Sequence, residues 1–126
     1  MTMRIRCISE SLPQNMLTTQ LQRFQGRWPV RVGTEYRVLE LSQSQGLWYV
    51  TIENHEQEFP VCVPLAMFDV IEPSVSRWWN VRVKSNDISL RPVEFDEEYF
   101  YDDVQERRGD ALERFRALKA RMNHET

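Results

Sequence analysis

Long apolar runs are missing from this 126-residue chain. No stretch approaches the ~20 consecutive apolar residues that a membrane-spanning helix requires. The first residues are basic at Arg4 and Arg6 but are not followed by an apolar core, so they read as a strand rather than a signal peptide, and a cytoplasmic location is expected. Cysteine is scarce, with only Cys7 and Cys62, which excludes a disulfide framework. Both read as reduced, buried, small hydrophobes. The four glycines, Gly26, Gly33, Gly46 and Gly109, are scattered, so no phosphate-cradling loop is present. Histidine is limited to His55 and His124. His55 sits in a polar turn with Glu53, Glu56 and Glu58, whereas a metal site draws ligands from separate elements at fixed spacing. There is no Gly-x-Ser-x-Gly elbow and no calcium-loop pattern. No catalytic residue, metal or cofactor is assigned, and the chain reads as non-enzymatic.

What is present is an ordinary globular composition, 41% hydrophobic and 28% charged, on a length that fits a single domain over residues 1–126. Met3, Ile5 and Cys7 alternate with Arg4 and Arg6, as a half-buried strand does. Ser11 and Pro13 open a predicted N-terminal helix whose face is Leu17, Leu21 and Phe24, ended by Gly26. The stretch from Gly33 to Pro64 supplies three predicted strands: residues 36–41, where Leu39 breaks the alternation as a bulge or a strand buried on both faces would, then 47–52, then 59–63. The second is apolar almost throughout and belongs inside a sheet, whereas Pro60 and Pro64 confine the third to an edge or a strand end. A helical turn at 65–68, a short extended piece at 69–72 and two more strands at 78–83 and 88–93 follow. Of the adjacent Trp78 and Trp79, one belongs in the core. The other is either covered by the terminal helix or left as an exposed platform.

Residues 110–123 read as a C-terminal helix with Asp110 and Glu113 as a capping box. Its apolar stripe is Leu112, Phe115, Leu118 and Met122, and Arg114 and Arg121 fall on solvated faces. The expected fold is α+β: a small, strongly bent antiparallel sheet or SH3-like barrel of six to seven short strands, with an N-terminal and a C-terminal helix packed on it.

Charge is unevenly placed. Residues 1–93 carry ten basic and nine acidic side chains, and residues 107–126 carry six and three. Residues 94–106 carry seven acidic side chains and no basic one. A near-neutral body with one negative segment is a poor match to nucleic acid, which needs a clustered positive field. The same segment holds Phe95, Tyr99, Phe100 and Tyr101. Charge runs are ordinarily solvated surface, but acidic groups interleaved with tyrosine are also the composition of protein interfaces. Phe95, Phe100 and Val104 would anchor the segment to the core, leaving Tyr99 or Tyr101 outside. The candidate partner-binding residues are Glu97, Glu98, Tyr99, Tyr101, Asp102 and Asp103.

Gly33 to Val38, Leu47 to Tyr49, Pro64 to Ile71, Ser76 to Trp78, Pro92 to Phe95 and Tyr99 to Asp103 together give a pattern that resembles small bacterial immunity proteins of contact-dependent inhibition and related polymorphic-toxin systems. The resemblance spans about residues 33–122 and transfers no catalytic residue. It implies a protein partner, a cognate toxin such as a nuclease, whose active cleft is covered by the acidic-aromatic patch. Neither nucleic acid nor membrane would be bound directly. Two other readings stay open: an adaptor module of a larger bacterial assembly, and a small-ligand binder or enzyme using a cleft near Trp48, Tyr49 and His55.

Overall fold

The computed structural model describes residues 2–11, 28–54 and 58–124. The predicted N-terminal helix and His55 lie outside the described residues. Among those described, the chain forms eight strands and two α-helices in an α+β arrangement: β1 (Arg4–Cys7), β2 (Glu35–Arg37), β3 (Glu40–Ser44), β4 (Leu47–Asn54), β5 (Phe59–Pro64), β6 (Phe68–Glu72), β7 (Asn80–Lys84), β8 (Asp87–Arg91), α1 (Phe100–Gln105) and α2 (Ala111–Asn123). Two antiparallel sheets result, a three-stranded one ordered β2-β1-β6 and a five-stranded one ordered β5-β4-β3-β8-β7. They do not close into a barrel, which corrects that part of the expectation.

The extra strand and the second sheet share one origin. The run 36–41 was expected to be one strand, but it breaks at Val38 and Leu39, both buried. Two consecutive buried residues cannot both point inward from a single pleat. The chain instead crosses from one sheet to the other here, and both N–H groups of the crossing are bonded. Val38 N–H donates to the Met3 carbonyl at 2.9 Å, and Leu39 N–H to the Thr51 carbonyl at 2.8 Å. The Trp79 indole N–H donates to the Leu39 carbonyl at 2.7 Å. Those bonds offset the cost of placing peptide groups in the core.

The hairpins follow from turn chemistry. β3 and β4 are joined by Gln45 and Gly46, both at positive φ (52° and 80°), as a tight right-twisting two-residue turn requires. β4 pairs on both sides, and β5, with Pro60 and Pro64, is an edge strand. Trp78 and Trp79 precede β7 rather than starting it, in a turn where Trp79 N–H donates to the Ser76 carbonyl at 3.2 Å. Trp79 is the core tryptophan. Trp78 is half-buried and lies against the Arg121 guanidinium of α2, 4.7 Å from the ring centre.

Alternation sorts the five-stranded sheet. Glu40, Thr51 and Cys62 are cross-strand neighbours on one face, and Leu41, Val50 and Val63 on the other. Both helices bond to the first face. Tyr101 of α1 reaches Thr51, and Lys119 of α2 reaches Glu53. α2 buries Ala111, Phe115, Leu118 and Met122, close to the expected stripe, with Leu112 half-buried. Asp110 forms no side-chain cap, so the expected capping box is absent. The turn before α2 is closed by the Ala111 N–H on the Arg108 carbonyl instead, at 3.1 Å. Cys7 is buried as expected. Cys62, on the edge strand β5, is exposed, which corrects the buried reading.

Phe115 is fully buried between the sheet and the helices. Phe115→Ala is expected to destabilise the fold by about 3–5 kcal/mol, measured by urea denaturation. A loss under about 1 kcal/mol would place the core elsewhere.

Candidate functional site

Residues 92–106 leave β8 at Pro92, pass through a 3-10 turn at Val93–Asp96 and enter α1 after Tyr99. This path divides the acidic residues into two groups. The first group is used inside the protein. Glu94 accepts from both terminal nitrogens of Arg121, at 2.9 and 3.0 Å. Asp96 accepts from Arg82 at 2.8 and 2.6 Å and from Arg91 at 2.7 Å. Glu97 is paired with Arg114, one bond being 2.8 Å. Bidentate guanidinium–carboxylate forks are the stronger form of such pairs. Arg114 and Arg121, expected to be solvated, are therefore the groups that fasten this segment to α2.

The second group stays at the surface. Glu98 and Asp102 are exposed and Asp103 is half-buried, and none has an ion pair among the described residues. Tyr99 stands between them, 65% exposed, with its backbone in the left-handed region at φ 66°. That conformation turns the chain sharply enough for the Asp103 N–H to reach the Tyr99 carbonyl at 2.8 Å and begin the helix. Asp102 and Asp103 occupy the first turn of α1, where a carboxylate also favours the helix electrostatically. Glu106 is paired with Arg108 at 2.6 Å.

Tyr101 is the side chain that faces in. Its ring packs on Phe95 at 4.9 Å between centroids, and its hydroxyl donates to the Glu40 carboxylate. Thr51 donates to the same Glu40 oxygen at 2.8 Å, and Arg91 approaches the other at 3.6 Å. Glu40 is only 6% exposed. A buried carboxylate persists only when partners replace its water, and here they come from α1, β4 and β8. Burial, with the Glu40 charge beside it, holds the Tyr101 phenol well above its ordinary pKa.

Of the six sequence candidates, Glu98, Tyr99, Asp102 and Asp103 thus form one outward stretch. Glu97 flanks it on an ion pair, and Tyr101 lies beneath it. The buried carboxylate at Glu40 carried no sequence signal, because Glu40 reads as the polar partner in an alternating strand. Trp48 is exposed and Tyr49 half-buried on β4. Among the described residues no cluster of His, Cys, Asp and Glu is arranged to hold a metal, and no helix is long and apolar enough to cross a membrane. No family model, curated protein or solved structure matches the chain.

Tyr101→Phe keeps the ring against Phe95 but leaves the buried Glu40 short of a donor. It is expected to cost about 1–3 kcal/mol, against less than about 0.5 for Tyr99→Ala at the surface, by urea denaturation. Equal losses would refute the inward assignment of Tyr101.

Acid should unfasten the ion pairs. The Arg116 hydrogen bond, opposed by slight burial and aided by Lys119, holds Glu58 at a pKa of about 2, against an ordinary 4.5. At Glu97 and Asp96 the arginine bonds outweigh burial, and at Glu94 the Arg121 pair overcomes a larger burial penalty, so all three are lowered. Lowered folded values mean that this stability is present above pH 4.5 and is lost as pH falls toward 2. Glu58→Gln is expected to reduce the loss across that window in denaturation curves. A variant that loses as much as wild type would remove Glu58 from the account.

Proposed function

We propose that the chain is a non-enzymatic protein-binding protein of the immunity type, which neutralises a cognate toxin by covering its active cleft with the stretch around Glu98, Tyr99, Asp102 and Asp103. The observation that carries this reading is the division within residues 94–106. Glu94, Asp96 and Glu97 are neutralised by arginines of the same molecule, while Glu98, Asp102 and Asp103 have no ion pair among the described residues and flank an exposed tyrosine. Uncompensated carboxylates beside a rigid aromatic suit a basic cleft such as that of a nuclease. They would speed the encounter, and Tyr99 would supply desolvated contact. The resemblance to immunity proteins points the same way, and a cytoplasmic site of action belongs to this reading.

A second reading, an adaptor module, is favoured by β7. That strand is an edge of the five-stranded sheet, all five of its residues are exposed, and Val81 and Val83 share one face. Exposed edges of this kind accept a further strand from a partner.

The two separate by salt. With the partner from the native host immobilised, the triple variant Glu98→Gln, Asp102→Asn, Asp103→Asn is expected to associate at least about tenfold more slowly than wild type, with a flatter dependence on ionic strength. The wild-type chain should also abolish the partner's enzymatic activity. Unchanged association by a folded triple variant would sink the acidic-surface reading. Loss of binding on Val83→Lys instead would assign the interface to β7.

A further inference from the structure

A cleft of about 250 Å³ lies between the edge of the three-stranded sheet, β4 and α2. Arg4, Arg37 and Lys119 line it, together with Glu35 and Glu53. Two of the cations come from adjacent strands, with Arg4 directly opposite Arg37 in the β1–β2 register. Cross-strand partners project from the same face with their Cβ atoms close together, and like charges in that position repel.

The neighbouring carboxylates do not resolve the repulsion. Glu35 is shared between Arg4, at 3.4 Å, and Arg6, at 3.9 Å. Glu53 is taken by Lys119, whose ammonium also meets Glu58 at 3.3 Å. Glu72, opposite Arg4 on β6, accepts instead from the Ser74 hydroxyl at 2.6 Å. Arg37 has no carboxylate partner among the described residues, although it is half-buried in the wall of the cleft. Among the described residues neither guanidinium closes a buried network. Arg4, Arg37 and Lys119 line the cleft from β1, β2 and α2, so cationic donors reach it from three elements.

We infer that this cleft binds a small phosphate-bearing dianion, held between Arg4 and Arg37. A guanidinium fork matches two phosphate oxygens at once, and a tetrahedral group has oxygens enough for two forks. A dianion neutralises both arginines, which a single carboxylate does not. Binding would turn the repulsion between β1 and β2 into a bridge between them. The cleft is separate from the acidic stretch and stands whether or not that stretch meets a toxin.

Thermal unfolding at constant ionic strength tests the assignment, with pyrophosphate as the probe and citrate and chloride as comparisons. Pyrophosphate is expected to raise the wild-type midpoint saturably, by about 5 °C or more at a hundredfold excess over Kd. Arg37→Gln and Arg4→Gln should abolish that rise, while Lys84→Gln, a cation on β7, should keep it. Without any probe, Arg37→Gln should melt at least as high as wild type, because it removes the repulsion. A probe-free midpoint several degrees lower would show that Arg37 is a structural residue. No saturable rise in wild type, an equal rise in Arg37→Gln, or a response to citrate alone would each overturn the phosphate assignment.

Discussion

A single buried carboxylate ties the five-stranded sheet to α1. Glu40 follows the crossing at Val38 and Leu39, where the chain passes from one sheet to the other, and it is the first residue of β3. Water is excluded there, so its charge must be met by protein. Thr51, Tyr101 and Arg91 meet it. Each belongs to a different element, and each is thereby fixed. Arg91 in turn holds Asp96, Asp96 holds Arg82, and the path of residues 92–99 follows from those bonds. Replacing one partner would leave a charge in a medium that solvates it poorly. The network therefore specifies the geometry of the outward stretch more than it adds to stability.

The acidic segment shows how misleading a linear count of charge is. Seven carboxylates in thirteen residues read as one negative patch. In three dimensions the patch is shorter, because the arginines that neutralise it come from β7, β8 and α2. No local pattern reports that Arg114 and Arg121 turn toward Glu97 and Glu94 rather than to water. The sign and rough position of the exposed stretch were legible in the sequence, but its membership was not.

The same distinction runs through the fold. Strands β1, β4 and β5, the edge position imposed by Pro60 and the core face of α2 were readable, because each depends on a period or on a residue with fixed backbone chemistry. The second sheet was not. It depends on β6 pairing with β1 across more than sixty residues of chain and on a crossing whose only local mark is the broken alternation at Leu39. That break was visible, but a bulge explains it equally well until the partner strands are known. The missing Asp110 cap is a smaller case. Sequence spacing permits a capping box, yet the preceding turn already bonds the helix start through the Arg108 carbonyl.

The left-handed residue Tyr99 separates two regimes of the same loop. Before it, Glu94, Asp96 and Glu97 are each answered by an arginine elsewhere, so a change of charge at Glu94 or Glu97 must be matched by one at Arg121 or Arg114. Glu98, next to the turn, and Asp102, after it, have no ion pair among the described residues. Substitutions there cost the fold little. The outward surface can therefore be rewritten residue by residue while its support stays fixed. A protein whose partners change quickly is well served by a display of that kind, in which the lettering is independent of the frame.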